Sequence, residues 1–403
     1  MRLIFLFTLL VTTFFAHSQR NCGSSLYASR FGNKIFNQQN MSYNRDTIRD
    51  EVIIIPVVVH VLYNNNAQNI SDAQIRSQLD VLNEDFRRMN ADASNTPDAF
   101  KPKASDTKIM FCLAQINPAG APAKGIVRKY TSTTMFDVND AMKFSAAGGD
   151  NAWNSKKYLN IWVCNMGSNA IGYSSQPGGQ ADRDGVVIQY TAFGRIGSLI
   201  PNFNRGRTAT HEIAHWLGLS HIWGDSECGN DGIDDTPQQS NYNNNCPRFP
   251  SVSSCSPDSN GDMFMNFMDY TNDACMNMFT NGQKTKMRGQ FSINGPRNSF
   301  MNSIVCDSSL AISNDTVVVV KTVVPSFNIY PNPAISELNI EGTNGFDLKG
   351  KVLKLYSSSG ILQFTKSNLI SSEKINISQL HSGVYFLSII SGRESKVLKL
   401  IKQ

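Results

Sequence analysis

Residues 52–62 read VIIIPVVVHVL, an almost unbroken run of β-branched side chains. A strand covered on both faces reads this way, because neither side needs polar residues. After a polar turn the period changes. Ile75, Leu79, Leu82 and Phe86 recur at helical spacing and lay one apolar stripe along a helix, which Ser71 and Gln74 are expected to open as a capping box. Strand-like runs return at 108–115, around Cys112, at 158–164 (YLNIWVC) and at 186–190 (VVIQY). A strand, a helix and then further strands predict an α+β domain, a twisted mixed sheet covered by helices on one side. From 224 to 280 both periods dissolve into Gly, Asn, Asp, Ser and Cys. Such a long irregular stretch inside a compact domain needs staples or metal ions. One more helix is predicted from near Gly282 through Met287 towards Phe291. Residues 307–325 read as a linker, and 326–403 alternate apolar and polar positions between turn signals, as in a small all-β sandwich.

The first residues change the compartment. Arg2, an apolar stretch LIFLFTLLVTTFFA and the small-residue ending AHS form a secretory signal peptide, 1–18, with cleavage expected before Gln19. The run is too short for a spanning helix, and nothing later in the sequence replaces it, so no transmembrane segment is expected in the mature protein. A hydrophobic fraction of 41% and a charged fraction of 17% exclude a disordered chain. The net charge of +5 is spread thinly, with no basic block interleaved with aromatics, which argues against nucleic acid as a partner.

Export favours disulfides. The eight cysteines are Cys22, Cys112, Cys164, Cys228, Cys246, Cys255, Cys275 and Cys306; four of them crowd into 228–275, and none forms a C-x-x-C pair. Four cysteines allow three pairings, between which the sequence does not choose. Cys112 and Cys164 fall in expected strands, either as buried thiols or as a bridge.

Three of the six histidines lie in HEIAHWLGLSH, residues 211–221. On a helix, His211 and His215 share a face. Gly218 can adopt a positive φ and end the helix, so that the chain turns back and offers His221 as a third ligand. Three neutral imidazoles suit one catalytic zinc ion and leave its fourth position open. Glu212, about 100° around the helix, can act as general base and acid on a water there without ligating the metal. Two histidines four apart are by themselves an ordinary helix face; Glu212, Gly218 and His221 at these spacings make the extended metzincin signature.

With NFMDY at 266–270, DGIDDTP at 231–237, Cys275 and FTNGQ at 279–283, the chain resembles the pappalysin family of metzincin metalloproteases, in particular its small prokaryotic, ulilysin-like members. The resemblance implies a zinc endopeptidase acting on extracellular proteins and peptides. It implies Met268 as the Met-turn residue under the metal and Tyr270 as a phenol that helps stabilise the tetrahedral intermediate. It pairs Cys228 with Cys255 and Cys246 with Cys275. It places one or two structural calcium ions near Asp231, Asp234, Asp235 and Thr236. Asp273 becomes the acid of the specificity pocket, implying cleavage N-terminal to Arg and less well to Lys. Arg20-Asn21-Cys22-Gly23 resembles the family's latency motif, with Cys22 as zinc ligand in a zymogen; a disulfide from Cys22 to Cys306 is the rival. On this reading 19–48 is the propeptide, with cuts before Arg45 or Arg49 self-consistent, and 49–306 is the catalytic domain. The run IGYSSQPGG at 171–179 is a candidate edge for substrate pairing.

The C-terminal module, with YPNP at 330–333, GVYFLSI at 383–389 and KVLKLIKQ at the end, resembles the sorting domain of the type IX secretion system of Bacteroidetes. The protein is therefore expected outside the cell, free or attached to the outer surface, as a monomer. The competing expectation from another class is a surface adhesin with a non-catalytic metal site. The intact Glu212 separates the two, since a binding protein has no use for it.

Overall fold

The structure, a computed structural model, describes residues 20–31, 51–167, 170–303, 305–306, 327–342, 347–358, 360–391 and 394–403. The expected signal peptide, the expected propeptide beyond Phe31 and the expected linker lie outside the described residues. No helix among the described residues is long and apolar enough to cross a membrane.

The sheet is built around β1 (Ile53–Tyr63). Its first half pairs in parallel with β2 (Ile109–Leu113) and its second half, on that same edge, with β3 (Ile126–Tyr130). On the other edge it pairs with β4 (Leu159–Cys164), which pairs with β6 (Val186–Gln189). The short strand β5 (Gly172–Ser174) runs antiparallel to β6 and forms the open edge. Strands β1, β2, β4 and β6 are almost wholly buried, as their continuous apolar runs require. β3, with the sequence IVRKY, was not among the expected strands. It is half-exposed and carries two charges, so its pattern resembles a loop.

Helix α2 (Asp72–Phe86) lays Ile75, Leu79, Leu82 and Phe86 on one face of the sheet, beside α3 (Arg207–Trp216). Only half of the expected capping box forms. Ser71 Oγ accepts from the Gln74 amide at 3.1 Å, but the Gln74 side chain donates to the carbonyls of Tyr190 and Phe193 instead. Loop carbonyls near the core have little access to water, and Gln74 satisfies them. The last helix, α4 (Asn281–Gly289), does open with a full capping box, Thr280 with Gln283, and stops short of Phe291.

Three disulfides staple the domain. Cys228–Cys255 and Cys246–Cys275 interlock the irregular 224–280 stretch. The third, Cys112–Cys306, ties β2 to the end of the domain across a sequence separation of 194 residues. Closing so long a loop restricts the unfolded chain by about 5 kcal/mol in the chain-entropy picture. It also removes Cys306 as a partner for Cys22, which is a buried free thiol, as is Cys164.

The C-terminal module is a sandwich of a four-stranded sheet, β10-β9-β12-β13, and a three-stranded sheet, β11-β8-β7. The strands span Phe327–Tyr330 (β7), Glu337–Gly342 (β8), Val352–Ser357 (β9), Leu362–Lys366 (β10), Ser372–Asn376 (β11), Gly383–Ser391 (β12) and Glu394–Lys402 (β13). Tyr356 and Phe386 on the larger sheet pack with Met110, Val52 and Ile54 of the catalytic domain, on the face away from α2.

Candidate metal centre

Helix α3 begins without a side-chain cap of its own; Gly206, at φ 75°, precedes it. Its first amides are satisfied from afar, because Asp273 Oδ2 accepts from Arg205 N at 2.8 Å and Arg207 N at 3.2 Å. A carboxylate suits the positive end of a helix. The helix ends at Trp216, and Gly218, at φ 90°, turns the chain. His221 is thereby carried back beside His215.

The three imidazoles converge. His215 Nε2 lies 3.1 Å from His211 Nε2 and 3.0 Å from His221 Nε2. Each Nδ1 is committed elsewhere: that of His211 donates to Phe267 O at 2.7 Å, that of His215 to Leu219 O at 2.8 Å, and that of His221 to Asp225 Oδ1 at 2.5 Å. These acceptors fix the Nδ1–H tautomer and leave three Nε2 lone pairs facing one another in a buried space. Burial and the other imidazoles hold His211 well below the usual histidine range, and burial with the neighbouring His221 pushes His215 down to about 3. Three converging neutral nitrogens are a donor set for a cation, and imidazole suits zinc. Cys22 completes the group. Its ligand atom and those of the three histidines all lie within 4.8 Å of one another, the one such cluster of His, Cys, Asp or Glu among the described residues.

Glu212 is fully buried beside this cluster. Its Oε2 accepts from Ser24 Oγ at 2.9 Å and faces Cys22 Sγ at 3.5 Å. Burial pushes its carboxyl up to about 7. That is the range in which one group can both take and return a proton near neutral pH. Gly172 in β5 makes room for it, since a Cβ there would meet Glu212 Cγ at 2.8 Å.

The segment 266–270 is wired into the same centre. Phe267 O holds His211, and Met268 O accepts from Ile222 N, the residue after His221. Met268 is fully buried in the core under the site. The Tyr270 ring lies 5.0 Å from that of His221 and 5.9 Å from that of His211. Burial and the neighbouring Cys22 and Glu212 keep its phenol protonated, hence a donor.

Asp273 is fully buried at the start of α3, and its Oδ1 receives Arg20 Nη2 at 2.5 Å. Arg20 also donates from Nη1 to Thr208 Oγ1 and from Nε to Thr271 O, both at 3.3 Å, with Phe203 stacked 5.0 Å beneath its guanidinium. Arg20 had been named from the sequence only within the latency motif and not as the occupant of the Asp273 pocket, and Ser24 and Asp225 had not been singled out. An acidic pocket expected to take Arg, with an Arg two residues before the latency cysteine, was the signal for the first.

The calcium candidates stay dispersed. Both oxygens of Asp235 serve the N-terminus of α4, accepting from Thr280 Oγ1 and Gly282 N. Thr236 Oγ1 donates to Asp231 Oδ1 at 2.8 Å, and Asp234 is exposed. Asp231 Oδ2 is buried without a partner.

Comparison with known proteins agrees with this geometry. Residues 145–292 match the model of the pregnancy-associated plasma protein-A family (M43 peptidases), and residues 328–403 match that of secretion-system C-terminal sorting domains. An extracellular metalloprotease of Verticillium alfalfae is 30% identical over 248 residues, 59% of this chain and 77% of the relative. One from Arthroderma gypseum is 28% identical over 67% of this chain and 83% of its own length. Among solved structures, mature mirolysin of Tannerella forsythia, in complex with a cleaved peptide, is 54% identical with a TM-score of 0.62, covering 62% of this chain and 96% of that one. A promirolysin mutant from the same organism is 49% identical with a TM-score of 0.64, covering 70% and 97%.

Proposed function

Because the chain belongs to the pappalysin (pregnancy-associated plasma protein-A) family of extracellular metalloproteases, we propose that it is a latent zinc endopeptidase that cuts on the N-terminal side of Arg, and less well Lys. It is a secreted metalloendopeptidase acting on peptide bonds, with a tail of the type that directs type IX export. His211, His215 and His221 hold the zinc, whose role when bound is to polarise the scissile carbonyl and acidify water. Glu212 takes the proton from that water and returns it to the leaving amine. The Tyr270 phenol donates to the developing oxyanion. Met268 supports the ligands from below. A binding protein with a dead site would have no reason to keep a buried carboxyl poised near neutrality beside three histidines.

The observation that carries the specificity is Arg20 in the Asp273 pocket. Its three donors each meet a different acceptor, an arrangement that fits a planar guanidinium and that an ammonium would satisfy only in part. The same segment supports latency. Cys22 faces the histidines, Ser24 Oγ occupies Glu212 and accepts from Ser174 N, and Gly23 N donates to Gly172 O on the open edge. The polarity of the segment explains why it survives. Cutting before Arg requires the residue preceding Arg over the metal, whereas here the metal-facing residue is Cys22, two positions after Arg20. The prosegment therefore runs through the cleft in the opposite sense to a substrate, parallel to β5. For calcium, Asp231 Oδ2 is the one buried oxygen of the candidate group without a partner, and so left open to an ion.

Matured enzyme incubated with a proteome-derived peptide library should cut uniformly before Arg, with Lys a minor product, and lose activity on chelation. Cleavage with no basic preference would remove the pocket assignment. A second test concerns the thiol. A Cys22→Ser precursor, freed of its thiolate ligand, should show partial activity before any cut, at least tenfold above the wild-type precursor. Unchanged latency would show that the cysteine is not the plug.

A further inference from the structure

The prosegment has a second attachment, on the face of the sheet opposite the histidines. Helix α1 (Ser24–Phe31) passes the open edge at β5 and inserts Tyr27 into a cluster with Val138, Met142, Trp162 and Tyr173. Tyr27 is 5% exposed, and its phenol donates to Asp140 Oδ2 at 2.8 Å. The other oxygen of Asp140 takes Tyr173 Oη at 2.9 Å and Lys143 Nζ at 2.8 Å. Asp140 and Lys143 have no exposed surface. The ammonium lies 4.9 Å from the Tyr27 ring centroid, 5.0 Å from that of Tyr173 and 5.4 Å from that of Trp162, so three aromatic rings enclose it. Arg183 reaches Asp140 Oδ2 at 3.4 Å and lies 5.2 Å over Phe31. Asp140 itself sits at φ 66°, a conformation rare for a side-chain-bearing residue and retained only where the surroundings impose it.

Everything in this pocket except α1 belongs to the catalytic domain. With α1 gone, Asp140 Oδ2 loses its shortest partner and Lys143 loses an aromatic wall. What is left is an ion pair at the bottom of a hole shaped by a phenol. We propose that this pocket is a tyrosine-binding exosite, and that through Tyr27 it keeps the prosegment on the enzyme after the chain is cut between residues 32 and 50. Its ligand is a peptide segment bearing a phenol. A phenylalanine fills the walls but takes from Asp140 Oδ2 its shortest hydrogen bond, leaving that oxygen only Arg183 at 3.4 Å among the described partners. Latency then outlasts the first cut and ends when the 20–31 segment dissociates or is destroyed. The inference rests on the latency reading above, but it concerns a different contact.

The test uses enzyme matured from the whole chain, assayed against synthetic 20–31 peptides carrying Tyr27, Tyr27→Phe or Tyr27→Ala, each with Cys22 and with Cys22→Ser. The Tyr27 peptide is expected to inhibit. Tyr27→Phe should weaken inhibition by about tenfold to a hundredfold, the range for a buried hydrogen bond to a charged group, and Tyr27→Ala by more. The same ratios should appear in the Cys22→Ser series, because Tyr27 acts away from the metal. An Asp140→Asn enzyme should keep its basal activity and discriminate less between the Tyr and Phe peptides; if it does not fold, the peptide series on the wild-type enzyme decides alone. Equal inhibition by the Tyr, Phe and Ala peptides overturns the exosite. Tyr27-dependent inhibition in which Cys22→Ser changes nothing supports the exosite and overturns the cysteine reading instead.

Discussion

Replacing Glu212 with glutamine should cost the enzyme about a hundredfold to ten-thousandfold in kcat/KM while leaving fold and zinc content unchanged. Glutamine keeps the size of the side chain and can still accept from Ser24 Oγ, so the precursor retains its packing. What is lost is the ability to accept a proton and hand it on, which contributes roughly 10²–10⁴ in rate. In the latent form, with Ser24 and Cys22 of the prosegment against it, burial lifts this carboxyl to about 7. The variant is matured in trans by wild-type enzyme that is then removed, and its kcat/KM and metal content are measured together. Activity within tenfold of wild type at full zinc content would take the general base away from Glu212.

The second large effect is expected at Asp273→Asn. The carboxylate meets the Arg20 guanidinium at 2.5 Å with both side chains almost wholly buried. Removing one partner of such a pair costs about 2–5 kcal/mol, mostly because the other charge stays buried and unpaired. For substrates with Arg after the scissile bond, kcat/KM should fall about thirtyfold to several-thousandfold, and much less for neutral residues there. Some loss of stability should accompany it, about 1 kcal/mol, because Asp273 Oδ2 also serves two amides at the start of α3. A specificity profile that still favours Arg at the wild-type ratio would place recognition elsewhere. On the proposed specificity, the side chain that receives the substrate guanidinium is also the one that anchors the helix presenting His211, Glu212 and His215.

Elements defined by strong periodicity were legible from the sequence, and those held by long-range partners were not. β1, α2 and the histidine helix follow from runs whose apolar spacing admits one reading. β3 escaped because its burial comes only from pairing with Val59–Tyr63, which leaves IVRKY with no pattern of its own. The Gln74 side chain was misassigned for a related reason: its partners are carbonyls more than a hundred residues away. At the site, the zinc ligands and Glu212 share one short motif. Asp225 lies four residues past His221 and has no signature beyond that spacing. Tyr27 and Asp140 are separated by 113 residues, and neither stands out in its own surroundings. The bridge Cys112–Cys306 was not named from the sequence, where Cys306 was considered only as a partner for Cys22, because local spacing carries no information about a loop of that length.

The placement of β1 bears on how the enzyme can be released. The first strand of the catalytic domain is held by three partners in the interior of the sheet rather than hanging at a rim. The chain is gripped just ahead of it, with Arg288 Nη2 donating to Glu51 O at 2.9 Å and Ile53 N to Lys108 O at 2.9 Å. A cut between 32 and 50 leaves every described rung of β1 in place. On the proposed latency, release by a cut in this stretch needs no single cleavage address. Any protease that nicks this stretch, including another copy of the same enzyme, yields a set of ragged N-termini on one and the same folded domain.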